Sequence, residues 1–253
     1  MQLTPEMFLI ICPMLFLAGL VDSIGGGGGL ISLPAYLLAG LPAHTAIATN
    51  KLSSTCGTSL TTVRFLRGGL VNLRLAVPSV AAAFLGSFLG ARLSLLVDEQ
   101  VMKTVLFAVL PVSAVIVLNR HLFRDRGGEE VTADRRTMTV CVVSALVIGC
   151  YDGFYGPGTG TFLIIAFNVF AKMNVRAANA QAKVINLTSN ITSLAVFLVN
   201  GQVMIPLGLA AGACNMLGNY IGSGLALTKG SKIVRPVILG VLLLLFLKIL
   251  IGF

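Results

Sequence analysis

The chain is built from long apolar stretches joined by short loops, and residues 203–228 run without one Asp, Glu, Lys, Arg or His. A helix crosses a bilayer with about 20 mostly apolar residues. Only 11% of the 253 residues are charged and 56% are hydrophobic, with a mean hydropathy of +0.94. A soluble domain is about a quarter charged, so a water-facing surface of this size could not be covered. Lipid as the outer solvent removes that demand. The expectation is an all-α integral membrane protein with roughly six to eight spanning segments.

Its start, MQLTPEMFLIICPMLFLAGL, has no positive n-region and carries Glu6. No removable signal peptide is expected, and the helices themselves direct insertion. The net charge of +9 comes from Lys and Arg in short loops, the pattern of a cytoplasmic basic excess. It forms no single basic patch, so nucleic acid is not an expected partner. The five cysteines, Cys12, Cys56, Cys141, Cys150 and Cys214, lie in apolar stretches without a C-x-x-C pair. They read as packing residues.

The chain repeats itself. Gly19, Asp22, Gly26 and Gly28 recur as Gly149, Asp152, Gly156 and Gly158, at an offset of 130. From Ala46 the offset is 132: Ala46, Ala48, Lys51, Phe65, Gly69, Gly86 and Gly90 recur as Ala178, Ala180, Lys183, Phe197, Gly201, Gly218 and Gly222. Residues 1–119 form the first transmembrane repeat, 120–137 a polar linker expected in the cytoplasm, and 138–253 the second repeat. Each repeat reads as a short apolar arm (6–21, 138–152), a Gly-rich break, a second short arm (30–40, 161–171) and three longer segments. Those are 45–66, 72–97 and 100–119, then 177–199, 203–228 and 232–252.

Basic residues cluster at Arg64, Arg67 and Arg74, in the linker, at Lys172 and Arg176, and at Lys229, Lys232 and Arg235. If every break segment spans, these clusters fall on both sides. If each broken pair is a re-entrant hairpin with arms of about 11–16 residues, too short to cross comfortably, all basic loops fall inside. Each repeat then has three full spans, and the two are inverted, as in many secondary transporters. Eight plain spans is the alternative.

Three sets of residues could carry chemistry. The breaks, Asp22 to Gly29 and Asp152 to Gly160, are glycine-rich. Their N–H groups could form an anion nest at a helix start, or the glycines could serve a tight turn or close packing. Lys51 and Lys183 sit at matched positions inside apolar segments, where a charge is costly and by default functional. Lys51, Ser54 and Thr58 share one helical face, as do Lys183, Asn186 and Asn190. Each stripe offers a cation and hydrogen-bond donors to an oxyanion; snorkelling or a structural ion pair is the competing reading. Asp22 and Asp152, the carboxylates within apolar segments, could pair with the lysines, carry protons for coupling or cap the broken helices.

Gly86-x-x-x-Gly90 and Gly218-x-x-x-Gly222 are small-xxx-small motifs for close helix packing. His44 and His121 fall in expected loops without metal-ligand spacing. No metal or cofactor site is expected, and with no nucleophile–base pair or clustered carboxylates, no catalytic site. With no Trp, an interfacial aromatic belt would rest on Tyr36, Tyr151, Tyr155 and Tyr220.

The run Gly19-x-x-Asp22-x-x-Gly25 to Gly29, then Pro34 and Ala46-x-Ala48-Thr49-Asn50-Lys51, resembles the sulfite exporter TauE/SafE family of the toluene-sulfonate uptake permease superfamily. So does the second copy, Gly149-x-x-Asp152-Gly153-x-x-Gly156-Pro157-Gly158-Thr159-Gly160, with Asn179-Ala180-x-x-Lys183-x-x-Asn186. The resemblance covers both repeats. It implies transport of sulfite, thiosulfate, a sulfonate or a sulfoacetate-like anion, with Gly26, Gly28, Lys51, Gly156, Gly158, Lys183 and Asn186 as motif residues. The second copy departs from the first at Tyr155 and Pro157, where the first has Gly25 and Gly27. The expected function is a secondary transporter in a bacterial or archaeal cell membrane, with substrate bound by Gly26, Gly28, Lys51, Ser54, Gly156, Gly158, Lys183, Asn186 and Asn190. Its partners are the anion and the bilayer, with room for a homo-oligomer. An anion channel of the same architecture, or a carrier of a non-sulfur organic anion, is the alternative.

Overall fold

The structure is a computed structural model that describes residues 3–118 and 133–229. The expected segment 232–252, His121 and most of the linker lie outside the described residues. Nine helices are described: α1 (Pro5–Gly25), α2 (Gly29–Leu38), α3 (Ala43–Arg67), α4 (Leu73–Leu96), α5 (Glu99–Leu118), α6 (Arg135–Phe154), α7 (Thr159–Val169), α8 (Val175–Val199) and α9 (Ile205–Lys229). No strand occurs among the described residues.

Helices α1, α4, α6 and α8 are long and apolar enough to cross a membrane. This corrects the expectation of two short arms. α1 has 21 residues and α6 has 20, whereas α2 and α7 have 10 and 11. α1 is longer because helix continues through Asp22, Ser23 and Ile24 until a glycine can turn it. α3 is as long as a span at 25 residues but is too polar for one facing lipid. Its Lys51, Ser53, Thr58, Thr61 and Thr62 are buried among other helices instead.

Apolar side chains point outward and polar ones inward. Val77, Leu85 and Leu89 of α4 are 69%, 57% and 55% exposed, and their repeat counterparts on α9, Leu209, Leu217 and Ile221, are 53%, 61% and 47% exposed. Such a continuous apolar face belongs against lipid. Together with the apolar helices, it makes this a membrane-embedded protein.

The repeats pack reciprocally. α4 lies along α6 and α9 along α1, so the fourth helix of each copy packs on the first helix of the other. The glycine motifs make these crossings. A Cβ added at Gly86 or Gly90 would lie 2.2 Å from Leu146 O or 1.9 Å from Cys150 O. At Gly218 it would lie 2.0 Å from Phe16 O, and at Gly222 2.4 Å from Leu20 O. The four carbonyls are themselves repeat counterparts, Leu146 with Phe16 and Cys150 with Leu20. Only backbone without a side chain permits this approach.

Two polar details differ from expectation. Tyr36 and Tyr155 are 0% and 2% exposed, so they are core residues and not an interfacial belt; Tyr36 donates to Ser53 Oγ at 2.9 Å. His44 is the second residue of α3. Its ring nitrogens face Glu99 Oε2 at 2.7 Å and Ser94 O at 3.0 Å. Glu99 also accepts from the backbone N–H groups of Ala43 and His44, so a carboxylate from α5 caps α3, whose own N-cap is Pro42. Glu99→Ala should cost about 1–2 kcal/mol, as lost helix caps do, read as a melting temperature ~2–8 °C lower in detergent.

Candidate functional site: a cavity between the two broken helices

The chain leaves the α1 helix only at Gly26, whose N–H still closes onto Asp22 O at 2.9 Å. Gly26 has φ 74 and Gly158, where α7 begins, has φ 87. Side chains rarely adopt that left-handed region, which is why glycine stands at both turns. α2 and α7 then start beside one another: a Cβ on Gly29 would lie 3.0 Å from Pro157 Cα. The first N–H groups of a helix have no acceptor within it, and the helix dipole is positive at that end. Two such ends therefore face one space.

α3 and α8 complete it. The resulting cavity, about 30 Å³, is lined by glycines from both breaks and by polar residues of the surrounding helices. Lys51 Nζ lies 2.9 Å from Asp152 Oδ2, and Lys183 Nζ lies 2.7 Å from Asp22 Oδ2. Each lysine thus pairs with the aspartate of the other repeat. The lysine side chains are 2% and 1% exposed, a depth at which an unpaired charge is strongly disfavoured. In the structure the aspartates pair with the lysines and do not cap the broken helices. The N-caps of α2 and α7 are Gly28 and Gly158, with no side-chain cap bond.

The second pair is the more heavily bonded. Thr159 Oγ1 lies 2.8 Å from Asp152 Oδ1 and 2.7 Å from Gly156 O, so its proton is shared between them, and Asp152 Oδ2 accepts from the Ser189 hydroxyl. Lys51 also donates to Asn190 Oδ1 at 3.2 Å, and Asn190 Nδ2 donates to Asn186 Oδ1 at 2.8 Å.

Of the residues singled out in the sequence, Asp22, Gly28, Lys51, Ser54 and Thr58 line the cavity from the first repeat. Asp152, Gly156, Gly158, Asn186 and Asn190 line it from the second. Lys183 stands behind Asp22, off the wall. Gly26 is also off the wall: a Cβ there would meet Thr161 N at 2.4 Å, so it serves the crossing of the two breaks. Sequence reasoning missed Ser32 and Asn215 on the wall, and named Asn50 and Thr159 there only within longer motifs. Ser32 is the most telling. It is 1% exposed, and its hydroxyl has no hydrogen-bond partner, a state buried polar groups seldom keep unless something else fills it. Its position one helical turn after Gly29 was a usable signal. Asn215, four residues before Asn219 in a stretch without charges, was another.

No group of His, Cys, Asp or Glu able to hold a metal occurs among the described residues, and all five cysteines are free thiols.

A helical membrane protein with a polar, ion-paired cavity where two broken helices meet is built as a membrane transporter is built. The model of the sulfite exporter TauE/SafE family matches residues 11–249, and the chain belongs to that family. It is 36% identical over 241 residues, 94% of this chain and 87% of the relative, to "Probable membrane transporter protein YfcA" of Escherichia coli (strain K12). It is 37% identical over 228 residues, 88% of this chain and 86% of the relative, to a "Probable membrane transporter protein" of Haemophilus influenzae. It is 36% identical over 236 residues, 93% of this chain and 89% of the relative, to "Probable membrane transporter protein ORF9" of a Sinorhizobium species. The chain is thus a membrane transporter of this family. No solved structure matches it.

Proposed function

We propose that the protein is a secondary transporter of a small sulfur-containing anion such as sulfite, thiosulfate, a sulfonate or a sulfoacetate-like compound, in a bacterial or archaeal plasma membrane. The observation that carries this reading is the pair of buried lysines, each held by an aspartate of the opposite repeat at the edge of one cavity. An oxyanion can replace a carboxylate on a lysine with little change in geometry. Helix starts, cavity-lining glycine backbone and the unpartnered Ser32 hydroxyl supply further donors. Sulfur is selected by the family resemblance alone. The inverted plan read from the basic loops would put the linker on the cytoplasmic side, with access alternating as one repeat rocks against the other.

The test is uptake of labelled sulfite, thiosulfate and a small sulfonate into proteoliposomes, with and without imposed pH and sodium gradients. Saturable, gradient-driven accumulation by the wild type, lost in Lys183→Ala, is the expected result. Wild-type rates in that variant would remove the lysine from the site. Flux that only runs downhill would make the protein a channel, and preference for a carboxylate would change the substrate class.

A further inference from the structure

The two ion pairs are repeat counterparts, yet their surroundings are not. Thr159 and Ser189, which donate to Asp152, correspond to Gly29 and Gly57 in the first repeat. Neither glycine can donate through a side chain. The place of a side chain at Gly57 is filled from α9, since a Cβ there would lie 1.8 Å from Asn215 Oδ1 and 2.4 Å from Asn219 Nδ2. Those asparagines are committed elsewhere: Asn215 donates to Leu15 O at 3.1 Å, and Asn219 to Asn215 while accepting from Thr61. Asp22 is left with Lys183 as its side-chain partner, through Oδ2. Its Oδ1 lies beside Gly160 on the cavity wall, 3.6 Å from where a Cβ would be. Its side chain is 15% exposed, against 3% for Asp152.

We infer that the symmetry is broken for coupling: Asp22 is the carboxylate that takes up and releases a proton as the anion binds and leaves, while Asp152 stays ionised as a fixed strut. The inference rests on the reading of the cavity as an anion site. In the structure, Lys51 and Lys183 balance Asp22 and Asp152, so the four side chains sum to zero. Adding a monoanion alone would leave a net negative charge at membrane depth, where charge is disfavoured. Adding it with one proton keeps the sum at zero. The proton goes to Asp22, giving the neutral acid, and the Lys183 ammonium exchanges Asp22 Oδ2 for an oxygen of the anion. Among the described residues, the charged groups facing Asp22 are Lys183 of α8 and, across the cavity, Lys51 of α3 and Asp152 of α6. α2, α7 and α9 bring only glycine, hydroxyl and amide groups to that wall. Asp152 is ill suited to the same duty, because Lys51 and the Ser189 hydroxyl already hold Oδ2, Thr159 Oγ1 lies against Oδ1, and its side chain is only 3% exposed.

The experiment uses the full chain in proteoliposomes with a pH-sensitive dye trapped inside and sodium absent. An added small sulfonate, a monoanion that releases no proton of its own, should acidify the lumen of wild-type vesicles as it enters. Asp22→Asn imitates the protonated acid, and whatever exchange of labelled against unlabelled sulfonate it retains should run uncoupled. It should lose both the acidification and the accumulation driven by a pH gradient. Asp152→Asn should keep the acidification per anion moved, at whatever rate it retains. Wild-type flux of the sulfonate without acidification would overturn the inference and leave the anion reading standing. So would pH-driven accumulation by Asp22→Asn, or loss of coupling in Asp152→Asn alone. Absence of wild-type flux for thiosulfate, sulfite and a small sulfonate would overturn both. Melting curves of each variant separate loss of coupling from loss of fold, and the wild-type acidification needs no variant at all.

Discussion

Lys51→Met should lower the melting temperature by ~6–20 °C, the shift equivalent to about 3–5 kcal/mol for a chain of this size. The lysine itself fits well as methionine, so the loss is not one of volume. It comes from Asp152, left 3% exposed with two hydroxyl donors but no cation. Breaking a buried pair costs more than the pair contributes, because one charge stays buried without its counter-charge. The double variant Lys51→Met/Asp152→Asn should therefore recover most of the loss. Thermal unfolding of the wild type, both single variants and the double variant gives the coupling directly. Additive effects of the two substitutions would mean that the 2.9 Å contact contributes nothing in the membrane.

Gly90→Ala should cost about 3 kcal/mol, the upper part of the range for overpacked sites. Its new Cβ would sit 1.9 Å from Cys150 O and 2.8 Å from Phe154 N. Both are backbone atoms of α6 and cannot rotate away, so α4 and α6 must separate along their contact. Gly222→Ala should behave alike at the crossing of α9 with α1, where Leu20 O would lie 2.4 Å away. Gly224→Ala, two residues on, meets only the Arg64 side chain at 3.5 Å and should be neutral or mildly stabilising, as alanine is in a helix. Equal melting temperatures for Gly90→Ala and Gly224→Ala would refute the close crossing.

Much of the architecture was legible in the chain because it depends on local or additive properties. Charge content and apolar run length place the protein in lipid whatever its helices touch. The repeat is arithmetic on positions, and it already set Gly86 beside Gly218 and Lys51 beside Lys183 as equivalents. Helix ends were less legible. α1 was expected to stop at residue 21, yet Asp22, Ser23 and Ile24 stay helical, since none forbids helix and Gly26 is the first residue to take φ 74. The tyrosines misled for a related reason: amphipathic side chains suit an interface, and only packing put Tyr36 and Tyr155 in the core.

Sequence alone was enough for the class of protein, its twofold internal plan and the four charges buried within it, because burial of charge in an apolar run is evident without a partner in view. Which lysine meets which aspartate was settled by the fold. Lys51 reaches Asp152 and Lys183 reaches Asp22 only because α4 lies along α6 and α9 along α1, at glycine crossings that bring the two breaks to one place. The inequality of the two pairs is likewise tertiary. Thr159 and Ser189 are ordinary residues in the chain, and they distinguish Asp152 from Asp22 only once three helices bring their hydroxyls to one carboxylate.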